Sequence, residues 1–149
     1  MIEENFNQVV ELTLKILNHA GFDAKVEVKE NNDQIFLDIE AEPAALLIGK
    51  QGQNLVALER ILQVIFYPKL GGKVISCDVA GFRKKRMEDL AEITKTTIEQ
   101  VLTTKIPRTL QGLTASERRI IHLEVAKIPE LVSESQGEGA DRVLVVKPR

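Results

Sequence analysis

Two short patterns in this sequence have residue types and spacings suited to holding phosphates. The first is LIGKQG at residues 47–52, where Gly49 and Gly52 enclose Lys50 and Gln51. Glycines lack Cβ, so the main chain between them can take conformations closed to other residues and let a sugar-phosphate chain approach closely. Lys50 adds positive charge at the tip. A helix expected from Gly52 to Tyr67 would aim amide groups and the positive end of its dipole at whatever lies over the turn. The second pattern is Arg118-Arg119-Ile120-Ile121-His122. At about 100° per residue, Arg118 and His122 fall one turn apart on one helix face, close enough to hold adjacent phosphates or a phosphate and a base edge.

The elements that must position these groups follow from the apolar pattern. Phe6, Val9, Val10, Leu12, Leu14, Ile16 and Leu17 recur at largely helical spacing before His19-Ala20-Gly21, which predicts a first helix capped by Gly21. From Asp23 the pattern alternates, and Asn31-Asn32-Asp33 separates it from Ile35-Phe36-Leu37-Asp38-Ile39, which predicts a hairpin. Pro43 suits the first turn of a short helix ending at Gly49. In the helix after Gly52, Leu55, Leu58, Leu62 and Ile65 form an apolar stripe whose opposite side is expected to be more polar. Pro68 and Gly71-Gly72 break that helix, and Lys73 to Val79 reads as a third strand.

A second unit follows. Phe82 to about Thr104 reads as a long helix opened by the basic run Arg83-Lys84-Lys85-Arg86. Positive charge at that end opposes the helix dipole, which points to a phosphate or an acidic partner nearby. Arg108 to Gln111 suits a short strand, and Thr114 with Glu117 three residues on has the form of a capping box for a helix reaching about Lys127. Leu131 to Ser135 and Arg142 to Lys147 read as strands joined by a glycine turn.

Composition narrows the function classes. The chain has 149 residues, 44% apolar and 28% charged, as in a globular protein of one ordinary domain or two small ones. No apolar run approaches the roughly 20 residues a membrane helix needs, and the amino terminus carries acids where a signal peptide carries bases, so the cytoplasm is the expected location. Cys77 is a lone cysteine in an apolar run and suits a small buried side chain. The net charge of −2 argues at first against a nucleic-acid partner. The distribution reverses the argument: residues 1–48 hold 10 acids and 3 bases, whereas residues 49–127 hold 8 acids and 14 bases. With no Trp, one Tyr and five Phe, stacking on exposed rings is a poor candidate for the main affinity, and backbone clamping must do more.

The order helix, strand, strand, helix, glycine turn, helix, strand, together with LIGKQG, resembles a type II KH domain (α-β-β-α-α-β) over residues 1–80. In KH domains the GxxG loop clamps the backbone of about four single-stranded nucleotides, which implies contacts from Ile48, Gly49, Lys50, Gln51 and Gly52. The Arg118/His122 spacing resembles the RxxxH motif of a second nucleic-acid-binding family, here residues 81–149, implying helices on a small three-stranded sheet. With SESQGEGADRVLVV closing the chain, the whole α+β sequence resembles the Jag (SpoIIIJ-associated) family of bacterial RNA-binding proteins, read as a short form without the additional amino-terminal domain. The resemblance implies a non-catalytic binder of single-stranded RNA, with single-stranded DNA also open, and a post-transcriptional regulatory or chaperone-like role. Arg83, Lys84, Arg118, Arg119, His122 and Arg142 join the loop as candidate contacts. It also implies an alternative, an adaptor pairing with a small single-KH protein in control of envelope growth and cell shape.

Bland readings stand beside these. A GxxG is often only a close-packing turn, a helical His beside an apolar stripe is often a satisfied core residue, and a basic run is often a solvated face. An enzyme acting on nucleic acid finds little support, because the sequence has no clustered carboxylates for two-metal chemistry, no GxxxxGK[ST] loop and no nucleophile paired with a base. No metal or other cofactor is expected.

Overall fold

Alternation in residues 23–42 produces the first sheet. In the computed structural model, which describes residues 2–149, β1 (Asp23–Glu30) and β2 (Gln34–Glu42) pair antiparallel, with Val26 opposite Ile39. The turn between them is tied by the Asn31 side chain, whose oxygen accepts from the amides of Asp33 and Gln34 at 3.1 and 2.9 Å. β3 (Val74–Val79) joins β2 in parallel, giving the order β1-β2-β3. A parallel neighbour requires a crossover, and this one carries α2 (Ala44–Ile48), a short 3-10 turn (Lys50–Gly52) and α3 (Gln53–Phe66). Helix α1 (Ile2–His19) precedes the hairpin.

The chain divides into two compact units, Met1–Arg83 and Lys84–Arg149, and the fold is α+β throughout. In the first unit Ile35, Leu37 and Ile39 of β2 are fully buried in a core with Val9 and Leu17 of α1 and Leu55, Leu58 and Leu62 of α3. Cys77 sits in this core, and burial, with the nearby Glu59 charge, pushes its thiol up to about 12; at neutral pH it behaves as a small apolar side chain.

The expected stripe on α3 needs one correction and its opposite face another. Phe66, 2% exposed, continues the buried line after Leu62, whereas Ile65 is 42% exposed. A step of four from Leu62 keeps the buried line on the same side, while a step of three carries Ile65 off it. The outer face is not polar: Val56, Ile61 and Val64 are exposed along it, Val64 at 75%.

In the second unit, α4 (Phe82–Thr104) is followed by β4 (Arg108–Leu110), α5 (Ala115–Ala126), β5 (Leu131–Gln136) and β6 (Val143–Pro148). The strands pair antiparallel in the order β4-β6-β5, with Ser133 opposite Val146. Ile121 and Val125 of α5 are buried in a core with Leu90 and Val101 of α4 and Leu131, Leu144 and Val146 of the sheet. Ile128 packs beside them.

The amino end of α5 carries the expected capping box. The Thr114 hydroxyl accepts from the Glu117 amide at 3.2 Å, and the Glu117 carboxylate accepts from the Thr114 amide at 2.8 Å. The same carboxylate receives Nε and Nη2 of Arg86 at 2.6 and 3.1 Å, a two-point pairing. Burial pushes the Glu117 carboxyl upward, but the Arg86 hydrogen bonds, the Thr114 amide and the guanidinium charge outweigh it and hold the group below the usual carboxylate range. A folded value below the unfolded one gives stability that is full above about pH 4.3 and lost as pH falls through the folded value. Glu117→Gln should therefore lower stability at pH 7 by about 2 kcal/mol and flatten the acid limb of the second unit's unfolding profile. Urea melts from pH 3 to 7 check this, and an unchanged acid limb would refute the pairing's role.

Candidate nucleic-acid interface

The loop at residues 49–52 takes its shape from three left-handed residues. Gly49 has φ +73°, Gln51 φ +56° and Gly52 φ +79°. Gln51 is the unusual one, since a side chain in this region costs roughly 1–2 kcal/mol. The glycines are fixed by packing as well as by φ. A Cβ on Gly52 would stand 2.9 Å from Cε1 of Phe82, and one on Gly49 would stand 2.7 Å from the Asn54 side chain. Asn54 is held there by donating from Nδ2 to the carbonyl of Leu46 at 2.9 Å, closing the end of α2. Both neighbours therefore occupy space that the glycines leave, a cause separate from any approach by a ligand.

Lys50 is exposed at the tip, Gln51 is half-buried, and Ile48 turns partly into the first core. Helix α3 starts with Gly52 as its N-cap, without a side-chain cap and without an acid in its first turn. Its positive end is left uncompensated by first-turn side chains.

The basic run opening α4 meets acidic partners within the protein. The Arg83 amide donates to Asp78 Oδ1 at 3.1 Å, its Nε donates to the Cys77 carbonyl at 2.9 Å, and its Nη2 pairs with Glu59. Glu59 also accepts from the Cys77 amide at 2.7 Å, so Arg83 and Glu59 together tie α3 to the end of β3 and the start of α4. Asp78 supplies the negative charge that the first turn of α4 lacks. Arg86 is engaged by Glu117, whereas Lys84 and Lys85 are exposed. Of the two α4 candidates, Arg83 has a structural task that its sequence position does not reveal.

In the second unit, Arg118, Arg119, His122 and Arg142 line one open concavity of about 340 Å³. Arg118 and Arg119 come from the first turns of α5, His122 from the next turn, and Arg142 from the stretch just before β6. Arg118 Nη1 donates to the carbonyl of Leu113 at 2.7 Å, which steadies the guanidinium against the chain that enters α5. His122 Nδ1 lies 2.7 Å from the hydroxyl oxygen of Ser133. The floor is completed from β5 by Ser133, Glu134 and Ser135. Glu134 is neutralised by Lys147 at 2.9 Å and accepts from Gln136 at 2.7 Å. The Lys147 and Gln136 hydrogen bonds hold its carboxyl below the usual range.

Ser133 and Ser135 are the two lining residues that the sequence reading does not single out. Their signal is the alternation in β5: at the positions sharing the face of Leu131, the apolar residue is replaced twice by a hydroxyl. Among the described residues no group of three or more His, Cys, Asp or Glu side chains is placed to hold a metal ion, and no helix is long and apolar enough to cross a membrane.

Residues 88–148 match the family model of the R-three-H domain, the domain named for its RxxxH motif, and the match encloses α5, β5, β6 and the concavity. The chain is 37% identical over 124 residues to a Bacillus subtilis protein named RNA-binding protein KhpB, covering 81% of this chain and 60% of that one. It is 25% identical to the protein of the same name from Clostridium symbiosum and 28% identical to that from Lactiplantibacillus plantarum, covering 97% and 91% of this chain. The chain belongs to the Jag family. It spans 60%, 65% and 42% of the length of these three Jag-type relatives. The 124 residues shared with the Bacillus relative exceed the length of the second unit, so the likeness reaches into the first unit as well.

Proposed function

We propose that this chain is a non-catalytic binder of single-stranded RNA, with residues 1–80 acting as a type II KH domain and residues 81–149 as an RxxxH-motif domain. The observation that carries this reading is the gathering of Arg118, Arg119, His122 and Arg142 around one concavity. Three guanidinium groups and an imidazole converge there, with the single carboxylate already paired to a lysine. Such a surface attracts a phosphodiester chain and offers donors to its oxygens. The name RNA-binding protein carried by the relatives points the same way.

The loop at residues 49–52 supplies the second contact. A backbone phosphate over Lys50 and Gln51 would meet the lysine charge and the uncapped positive end of α3. Each contact is small, but tethering both in one chain raises the effective concentration of the second once the first has formed. The reading assigns Lys84 to the periphery of the RNA path and gives Arg83 a supporting role. RNA rather than DNA is chosen on the relatives' name, and post-transcriptional regulation is the process it suits.

Fluorescence anisotropy with a labelled single-stranded RNA of about 12 nucleotides tests the reading. Lys50→Asp/Gln51→Asp and Arg118→Ala/His122→Ala should each weaken binding by roughly tenfold or more, and the combined variant further, with affinity falling as salt rises. Folded variants that bind as tightly as the unchanged protein would overturn it. Equal affinity for single-stranded DNA of the same sequence would widen the ligand class.

The outer face of α3 favours an accompanying role. Val56, Ile61, Val64 and Ile65 are exposed on a helix whose other side is core, and contiguous apolar surface of this kind marks association sites. A small single-KH protein is the partner proposed for it. A stoichiometric complex recovered from nuclease-treated extract, and lost on Val64→Glu, is the expected result. Recovery indifferent to Val64→Glu would place the partner elsewhere.

A further inference from the structure

His122 is useful to a phosphate or a base edge only if its outer ring nitrogen is both aimed and protonated, and one residue beneath it governs both. We propose that Ser133 is the positioning residue for His122: its hydroxyl donates to Nδ1, fixes the ring, and leaves Nε2 as the protonated donor facing the concavity. This inference rests on the proposed RNA-binding reading of the same site.

The geometry is short-range and specific. Ser133 Oγ lies 2.7 Å from His122 Nδ1, a full hydrogen bond. Ser133 is 6% exposed, beneath α5 in a strand paired with β6, so water has little access to replace the contact. His122 itself is exposed, with its ring at the border between the sheet and the concavity. An exposed imidazole on a helix ordinarily samples several rotamers. Here one nitrogen is anchored to the sheet, and the ring is left with one outward-facing nitrogen.

The direction of the hydrogen bond follows from what the neighbours provide. The charged groups around the concavity are Arg118 and Arg119 on α5, Arg142 before β6, and Glu134 on β5. Three cations oppose a further charge on the imidazole, while Glu134 is compensated by Lys147. A neutral ring has one N–H. With Ser133 donating to Nδ1, that proton is on Nε2, where it can reach a phosphate or carbonyl oxygen. His122 then donates near neutral pH without becoming an imidazolium. Removing the hydroxyl would free the ring to rotate and would leave the proton on either nitrogen.

The test combines binding with a spectroscopic measurement on the RNA-free protein. In long-range nitrogen-proton spectra of the full chain near pH 7.5, His122 should show an unprotonated, hydrogen-bonded Nδ1 and a protonated Nε2. Ser133→Ala should shift the Nδ1 signal and weaken RNA binding about fivefold, while Ser133→Thr, which keeps the hydroxyl, should restore both. In a His122→Ala background Ser133→Ala should cost nothing more, because its effect passes through the ring; a purely structural role would persist there. A protonated Nδ1, affinity unchanged by Ser133→Ala, or an undiminished loss in the His122→Ala background each overturns the inference. Should His122→Ala itself leave affinity unchanged, the RNA-binding role of the ring fails first, and the ligand-free spectra still report whether Ser133 sets its tautomer. If Ser133→Ala does not fold, the Ser133→Thr affinity and the wild-type spectra decide.

Discussion

The first unit depends on a chain reversal that only a few residue types permit. Between α2 and α3 the backbone visits the left-handed region three times in four residues, and the space left by the missing Cβ atoms is taken by Asn54 and by the ring of Phe82. The turn is therefore wedged from within. Phe82 is also the first residue of α4, next to Arg83, whose pairing with Glu59 ties α3 to the end of β3. Loop, helix start and third strand thus share one set of contacts, and a backbone laid over Lys50 and Gln51 would meet a preformed surface. Ordering entropy that a mobile loop would lose on binding is already spent in folding.

The second unit solves a related problem with side chains. Helix α5 has to bury Ile121 and Val125 against the sheet while presenting Arg118 and His122 at the concavity. The helical repeat puts these sets on adjacent faces, and β5 accommodates the change by replacing an apolar residue with serines where the polar face begins. The capping box at Thr114 and the Arg86 pairing with Glu117 fix where α5 starts, hence which residues reach the concavity. Polar groups inside this unit hold the helix in register, and polar groups at its edge face outward.

Much of this is legible from residue patterns. The order of elements, the hairpin at Asn31, the Thr114 box and the shared face of Arg118 and His122 are all local, set by periodicity and turn chemistry within a few residues. Arg142 reaches the same concavity because the glycine turn is short enough to return the chain beside α5. What the residue pattern does not carry is long-range. The Phe82 ring under Gly52 and the Arg83 link to Glu59 join residues 30 and 24 positions apart, and no sequence period encodes them. Ile65 is misplaced by periodicity because steps of three and four both fit a helix, and only packing chooses Phe66 as the buried residue. The apolar outer face of α3 escapes for a similar reason: the stronger leucine stripe defines one side, and nothing local says that the valines opposite it stay uncovered.

The central claim is that the loop at residues 49–52 and the concavity of α5 contact the same RNA. Backbone and side-chain chemical-shift mapping of the full chain, titrated with a short single-stranded RNA, tests it most directly. The expected result is two sets of saturating shifts, at Gly49 to Gly52 and at Arg118, His122 and Arg142, reaching their midpoints at the same RNA concentration. Shifts confined to other surfaces, or absent from both sets at saturating RNA, would contradict it.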